Sequence, residues 1–122
     1  MREILFRGKR VVNGKWVEGF MYSQHFPLEF RDDFYIRCYD TDYLVIPETV
    51  GQYTGLTDKN GVKIFEGDII RFEDDIGYVI YIEDYARFLV DSPNRYILMD
   101  YSSEFEVIGN IYDNSAEEFN TY

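Results

Sequence analysis

Carboxylates are the most plentiful reactive groups in this sequence, and they gather around one corner. Glu66 and Asp68 flank Gly67, and Glu73, Asp74 and Asp75 follow after one short apolar run. Hard oxygen ligands held at such a corner suit Ca²⁺ or Mg²⁺. A carboxylate pair can also run acid–base chemistry when burial pushes the two pKa values apart. Turns attract Asp and Glu for solvation and backbone bonding in any case, so the bland reading of this corner comes first. Other chemistry is sparse. His25 is the only histidine and Cys38 the only cysteine, which together fall short of an ordinary zinc site. No Gly-x-Ser-x-Gly element marks a serine nucleophile. Gly51, Gly55 and Gly61 lie scattered over turns and lack the Gly-Lys-Ser/Thr end of a phosphate-binding loop. His25 reads as a surface loop residue and Cys38 as a small buried hydrophobe. No catalytic, cofactor-binding or metal-binding residue is assigned.

The elements that would position the corner lie in Gly51 to Phe72, GQYTGLTDKNGVKIFEGDIIRF. Asn60-Gly61 between two apolar-bearing runs is the strongest hairpin signal in the chain, because both residues tolerate positive φ. Gly67-Asp68 supplies a second reversal, with a side chain able to bond nearby backbone N–H groups. Ile69, Ile70 and Phe72 then provide the β-branched and aromatic content of a strand.

Composition agrees with a β-rich chain. Twelve Tyr, ten Phe and one Trp make up 19% of 122 residues, and aromatic rings fit pleated, half-buried surfaces. Tyr also suits interfaces, since its ring is apolar and its hydroxyl stays wet. The length fits one domain over residues 1–122. Lys plus Arg is 12 and Asp plus Glu is 23, so the net charge is 12 − 23 = −11. Beyond Arg7-Gly8-Lys9-Arg10 there is no basic cluster, which disfavours direct nucleic-acid binding. The acids leave open solubility, a basic partner, or imitation of a phosphate array. A lone cysteine excludes an intrachain disulfide and suits a reducing compartment. No apolar run has signal-peptide or membrane-spanning length, so a soluble, intracellular protein is expected.

Along the chain, Ile4–Arg7 reads as a first strand, Asn13-Gly14 as a turn, and Trp16–Tyr22 as its partner. Trp16, Glu18, Phe20 and Tyr22 share one face by period two, with Val17 and Met21 opposite. The stretch from Ser23 to Asp33 contains Pro27 and mixed charges, and is expected to be an irregular loop. Phe34–Tyr39, Tyr43–Ile46, Ile76–Ile82, Tyr85–Val90, Arg95–Met99 and Phe105–Tyr112 read as further strands. In the last of them Val107, Gly109 and Ile111 alternate against Ile108, Asn110 and Tyr112. Asn114 to Phe119 could add one helical turn, the longest helix expected. The fold class is all-β, with antiparallel sheets in a small, partly closed, SH3-like barrel.

The central stretch strongly resembles the signature of the YopX family, small proteins encoded by bacteriophages and prophages, largely of Gram-positive bacteria. MREILFRGKRVVNGKWVEGF is similar to that family's opening and FEVIGNIYDNSAEEF to its closing motif. The segments from Phe26 to Tyr43 and from Tyr81 to Tyr101 carry less of the pattern. The signature residues are Gly51, Gln52, Thr54, Gly55, Leu56, Asp58, Asn60, Gly61, Glu66, Gly67 and Asp68, with Gly109 and Asn110 in the closing motif. The resemblance implies a β-rich, barrel-like fold, self-association, and a location in the bacterial cytoplasm of a phage or prophage host. It carries no established biochemical role, and so transfers no catalytic residue.

The expected function is that of a phage accessory protein: a protein-binding or self-assembling module, not an enzyme, with no cofactor and no membrane. Its partners would be a second copy, or a host or phage protein. Two rival classes stand beside it. One is an acidic mimic of nucleic acid that blocks a basic host protein. The other is a metal-assisted hydrolase built on Glu66, Asp68, Asp74 and Asp75, which requires those carboxylates to converge.

Overall fold

A computed structural model describes residues 4–113 of the chain. Two compact units divide it, Met1–Tyr53 and Thr54–Tyr122. The expected helical turn at 114–119 lies outside the described residues. Among the described residues every strand pairing is antiparallel, the strands fall into two sheets, and no closed barrel forms. No helix among the described residues is long and apolar enough to cross a membrane.

In the first unit, β1 (Phe6–Lys9), β2 (Trp16–Phe26), β3 (Arg31–Cys38) and β4 (Thr41–Val45) lie side by side, with the start of β5 (Gly51–Thr57) on the free side of β1. The register is tight where backbones crowd. Phe6 opposes Gly19 of β2 and Gln52 of β5, and Tyr22 of β2 opposes Tyr35 of β3. Ile36, Val45 and Tyr53 are buried, and Gly8 leaves room for the Ile36 and Val45 side chains.

The expectation of an irregular loop over Ser23–Asp33 is overturned. β2 runs on to Phe26 and β3 starts at Arg31, so only Pro27–Glu29 and Phe30 form the reversal. Pro27 does break the strand, as its fixed φ and missing N–H dictate, but it sits at the first position of a short 3-10 turn. Mixed charges around it do not prevent pairing, because two strands with both faces wet tolerate polar side chains.

In the second unit β5 ends and β6 (Lys63–Phe65) follows across the Asp58–Gly61 turn. The sheet there has the order β10-β9-β8-β7-β11, built from β7 (Asp68–Phe72), β8 (Asp75–Ile82), β9 (Arg87–Asp91), β10 (Tyr96–Leu98) and β11 (Glu106–Asn110). Alternation sends Ile70, Phe72, Val79, Phe88, Val90 and Ile97 to one face, where they pack with Ile64, Met99 and Phe105. Three details depart from the sequence reading. Glu83–Tyr85 is a 3-10 turn, and Ala86 is left-handed at φ 50°, so β9 starts only at Arg87. Met99–Glu104 is a 3-10 helix that puts Met99 and Ser102 inside. A register shift between Val107 and Gly109 breaks the simple alternation of β11.

Candidate functional site

The residues whose types could do chemistry are mostly consumed by the second unit's turns. Asp58 is only 5% exposed. Its Oδ1 accepts the N–H groups of Asn60 and Val62 at 2.8 and 2.9 Å, and its Oδ2 accepts that of Val107 at 2.9 Å. Burial alone would raise its pKa. The amides of Val107, Val62 and Asn60, with the Lys59 charge, outweigh burial and hold it below the usual carboxylate range. One carboxylate therefore closes the β5–β6 turn and also fastens β11. Asp68, 2% exposed, accepts the Phe65 N–H at 2.7 Å and tightens the next turn in the same way. Thr54 Oγ1 donates to the Ile64 carbonyl at 2.8 Å and accepts the Leu56 N–H at 3.3 Å.

The signature glycines answer to backbone geometry. Gly61 has φ +78° with open space around it, whereas Gly67, at φ +91°, has the Tyr112 ring 2.9 Å from where a Cβ would sit. Gly67 also donates its N–H to the Val79 carbonyl and accepts the Ile111 N–H, each at 2.9 Å. Gly55 has positive φ as well, and Leu56 beside it is partly exposed. Asn110 Oδ1 accepts the N–H groups of Tyr112 and Asp113 at 3.0 and 2.9 Å, closing the turn after β11. Gly51 and Gln52 pair with Arg7 and Phe6, and Gly109 pairs with Ile69. Glu66 is half-buried beside Gly67.

The carboxylates that the hydrolase reading needs do not converge. Asp75 accepts from Arg95 Nε at 2.8 Å and from Asn94 at 3.3 Å, and Glu73 accepts from Arg95 at 3.4 Å. That pairing, led by Asp75, raises the Arg95 pKa above its ordinary value. Asp74 points to solvent while Asp68 points inward. Among the described residues no three His, Cys, Asp or Glu side chains stand close enough to hold a metal ion. His25 is exposed, and its Nδ1 lies 2.7 Å from Asp32 Oδ1 across the β2–β3 pair. Cys38 is half-buried opposite Thr41.

Exposed aromatic side chains occur in both units, Tyr85 and Tyr96 among them in the second, and in the first unit they gather along β2 and its reversal. One face of β2 carries Trp16, Phe20, Tyr22 and Phe26. The Tyr22 and Tyr35 rings stack with centroids 5.2 Å apart at 16°. Arg31 lies over Phe26 at 4.7 Å, and Arg7 over Trp16 at 4.7 Å. Desolvation, then a hydrogen bond to Asp42, raise the Tyr22 hydroxyl above its ordinary pKa. Phe20 is nonetheless 68% exposed.

Past Gly19 on one side and Phe34 on the other, β2 and β3 have only each other among the described residues. They form a two-stranded arm. At its tip Leu28 is 96% and Phe30 94% exposed, and Phe30 takes φ 50°. A bulky residue in that region costs about 1–2 kcal/mol. Leaving each large apolar side chain in water forgoes about 1.5–3 kcal/mol of burial. Neither cost is repaid inside the unit. Pro27 and the mixed charges give this segment the local composition of a loop, although period-two aromatic spacing continues from Trp16 through Tyr22 to Phe26.

A sequence model of the YopX protein family matches residues 6–117, nearly the whole chain. The chain belongs to the YopX family. The match extends over most of both units of this YopX family member and takes in every signature residue. A solved structure, the crystal structure of protein EF1440 from Enterococcus faecalis, is similar to it at 21% sequence identity and a TM-score of 0.59. That likeness covers 96% of this chain and 99% of that one, and it bears on fold alone. No curated protein matches the chain.

Proposed function

We propose that this YopX family member is a non-enzymatic binding module of phage or prophage origin. In this reading it acts in the bacterial cytoplasm by assembling with itself or by engaging a host or phage protein. The observation that carries the reading is the contrast in side-chain availability. The chemistry-bearing signature residues Asp58, Asp68 and Asn110 spend their polar atoms on backbone turns, while Phe20, Leu28 and Phe30 stand in water. Large apolar side chains left in water along one arm are where a protein-binding surface is sought. Aromatic anchors of this kind supply most of the energy of an interface once desolvated.

The charge-mimic reading gains less support. Many acids sit beside arginines: Glu29 and Asp33 beside Arg31, Asp42 beside Arg37, Asp100 beside Arg87, Glu106 beside Arg71, and Glu73 and Asp75 beside Arg95. An imitation of a phosphate array needs acids left unneutralised on one face.

A tagged pull-down from nuclease-treated bacterial lysate at low and high salt tests the reading. The expected result is a partner, or further copies of the chain, held through high salt and lost in the Phe20→Ser/Phe30→Ser double variant. Salt-sensitive capture that the double variant retains would favour the charge mimic instead, since exposed charge pairs are screened over about 8–10 Å.

A further inference from the structure

Among the described residues, the arm leaves one edge of β2 open. β1 pairs with β2 only from Trp16 to Gly19, and no described residue pairs with the same side of β2 from Phe20 to Phe26. A run of unpaired backbone N–H and C=O groups is a template for another strand. A two-stranded hairpin with no third strand is also marginal by itself. We propose that the third strand is supplied by a second copy of this chain, β2 against β2, antiparallel about Ser23. This deepens the self-assembly half of the function proposed above and rests on it.

The sequence of the edge fits itself in that register. Phe20 falls opposite Phe26 of the second copy, Met21 opposite His25, Tyr22 opposite Gln24, and Ser23 opposite Ser23. Residues opposed across an antiparallel pair point to the same face, so Phe20, Tyr22 and Phe26 of both copies join one aromatic surface. Aromatic pairs opposed in this way stabilise a sheet. Charge selects the same edge. The chain carries a net −11, so contact between two copies generally sets acid against acid, yet Phe20 to Phe26 contains no Asp or Glu. Like charges directly opposed across strands are destabilising, and this pairing has none. The pairing also has a defined end: the partner's β2 stops at Phe26, opposite Phe20, and the next place, opposite Gly19, is held by Phe6 of β1.

Cysteine placement tests the register directly. Opposed residues of an antiparallel pair have Cα atoms about 4.5–5.5 Å apart, within the range a disulfide spans. The full chain is prepared as Cys38→Ser, then with Ser23→Cys, or with Ser103→Cys as an exposed control. Under mild oxidation the Ser23→Cys chain is expected to form a covalent dimer at least about tenfold faster than the control, because pairing raises the local thiol concentration. Sedimentation of the wild-type chain should show a dimer or larger species, and Ser23→Pro, which removes an edge N–H, should shift it towards monomer.

Equal cross-linking of the two cysteine chains overturns the proposal even if Ser23→Pro fails to fold. Wild-type assembly with equal cross-linking removes the β2 pairing and leaves self-assembly standing. A wild-type monomer at all concentrations removes both. Preferential cross-linking of Ser23→Cys to a different protein in lysate likewise overturns the second copy as occupant.

Discussion

The Asp58–Asp68 turns and the β2–β3 arm are opposite solutions to the same local problem, a tight reversal between two strands. In the first, Gly61 and Gly67 supply positive φ without a Cβ, and buried carboxylates accept the backbone N–H groups the turns would otherwise orphan. In the second, Phe30 takes a left-handed conformation with a full aromatic side chain, and the reversal has Leu28 and Phe30 in water. The first reversal uses residue types that relieve strain. The second keeps residue types that create it, and costs of that kind persist where a segment meets something else. A dense cluster of reactive residue types thus marks a folding device here. The candidate surface is the place with apolar atoms left over.

Breaking the first region should have the largest effect on stability. Asp58→Ala strands the N–H groups of Asn60, Val62 and Val107, and is expected to cost about 3–5 kcal/mol, read by urea unfolding of the full chain. A loss below about 1 kcal/mol would mean that other acceptors replace it. Gly67→Ala meets both a φ of +91° and the Tyr112 ring, and should cost about 2–3 kcal/mol. Gly61→Val has the φ of +78° but open space around it, so about 1–2 kcal/mol is expected. If Gly61→Val proves the more damaging of the two, the Tyr112 contact is not a constraint.

Asp58 also gives the comparison a pH signature. Its folded pKa lies below the ordinary 3.8. A depressed carboxyl contributes stability that is fully present above its unfolded value and lost as pH falls through the folded value. Unfolding free energy should therefore drop below about pH 4. Asp58→Asn should flatten that drop while lowering stability at pH 7, as followed by thermal melting across pH.

The smallest stability effect belongs to the arm. In Phe30→Gly, relief of the left-handed cost offsets glycine's extra chain entropy, so unfolding should shift by less than about 0.5 kcal/mol. The same substitution should weaken partner capture or self-assembly, measured by pull-down and sedimentation. A variant that melts several degrees lower yet binds normally would reverse the contrast and make the arm tip a structural element.

Much of this was legible in the residues themselves. Asn60-Gly61 and Gly67-Asp68 announced their turns because positive φ and side-chain capping are local demands. Ile69, Ile70 and Phe72 announced β7 through β propensity. The arm was not legible, because Pro27 with Glu29, Arg31, Asp32 and Asp33 around it has the local composition of a loop. Only cross-strand partners, His25 opposite Asp32 and Phe26 opposite Arg31, make it a strand pair. The carboxylate corner failed differently. Spacing along the chain says that Asp68 and Asp75 are near neighbours in sequence, but the fold commits Asp68 to the Phe65 amide and Asp75 to Arg95.

By itself, the sequence determined the β class, the Asn60-Gly61 and Gly67-Asp68 turns and the family of this protein, since each depends on residue types acting over a few neighbours. Tertiary structure alone decided which polar atoms are spent on the fold and which apolar ones remain. The Val107 N–H that Asp58 accepts and the Tyr112 ring that crowds Gly67 come from far along the chain. Availability for binding is what is left after such long-range contacts are made, and no local pattern encodes it.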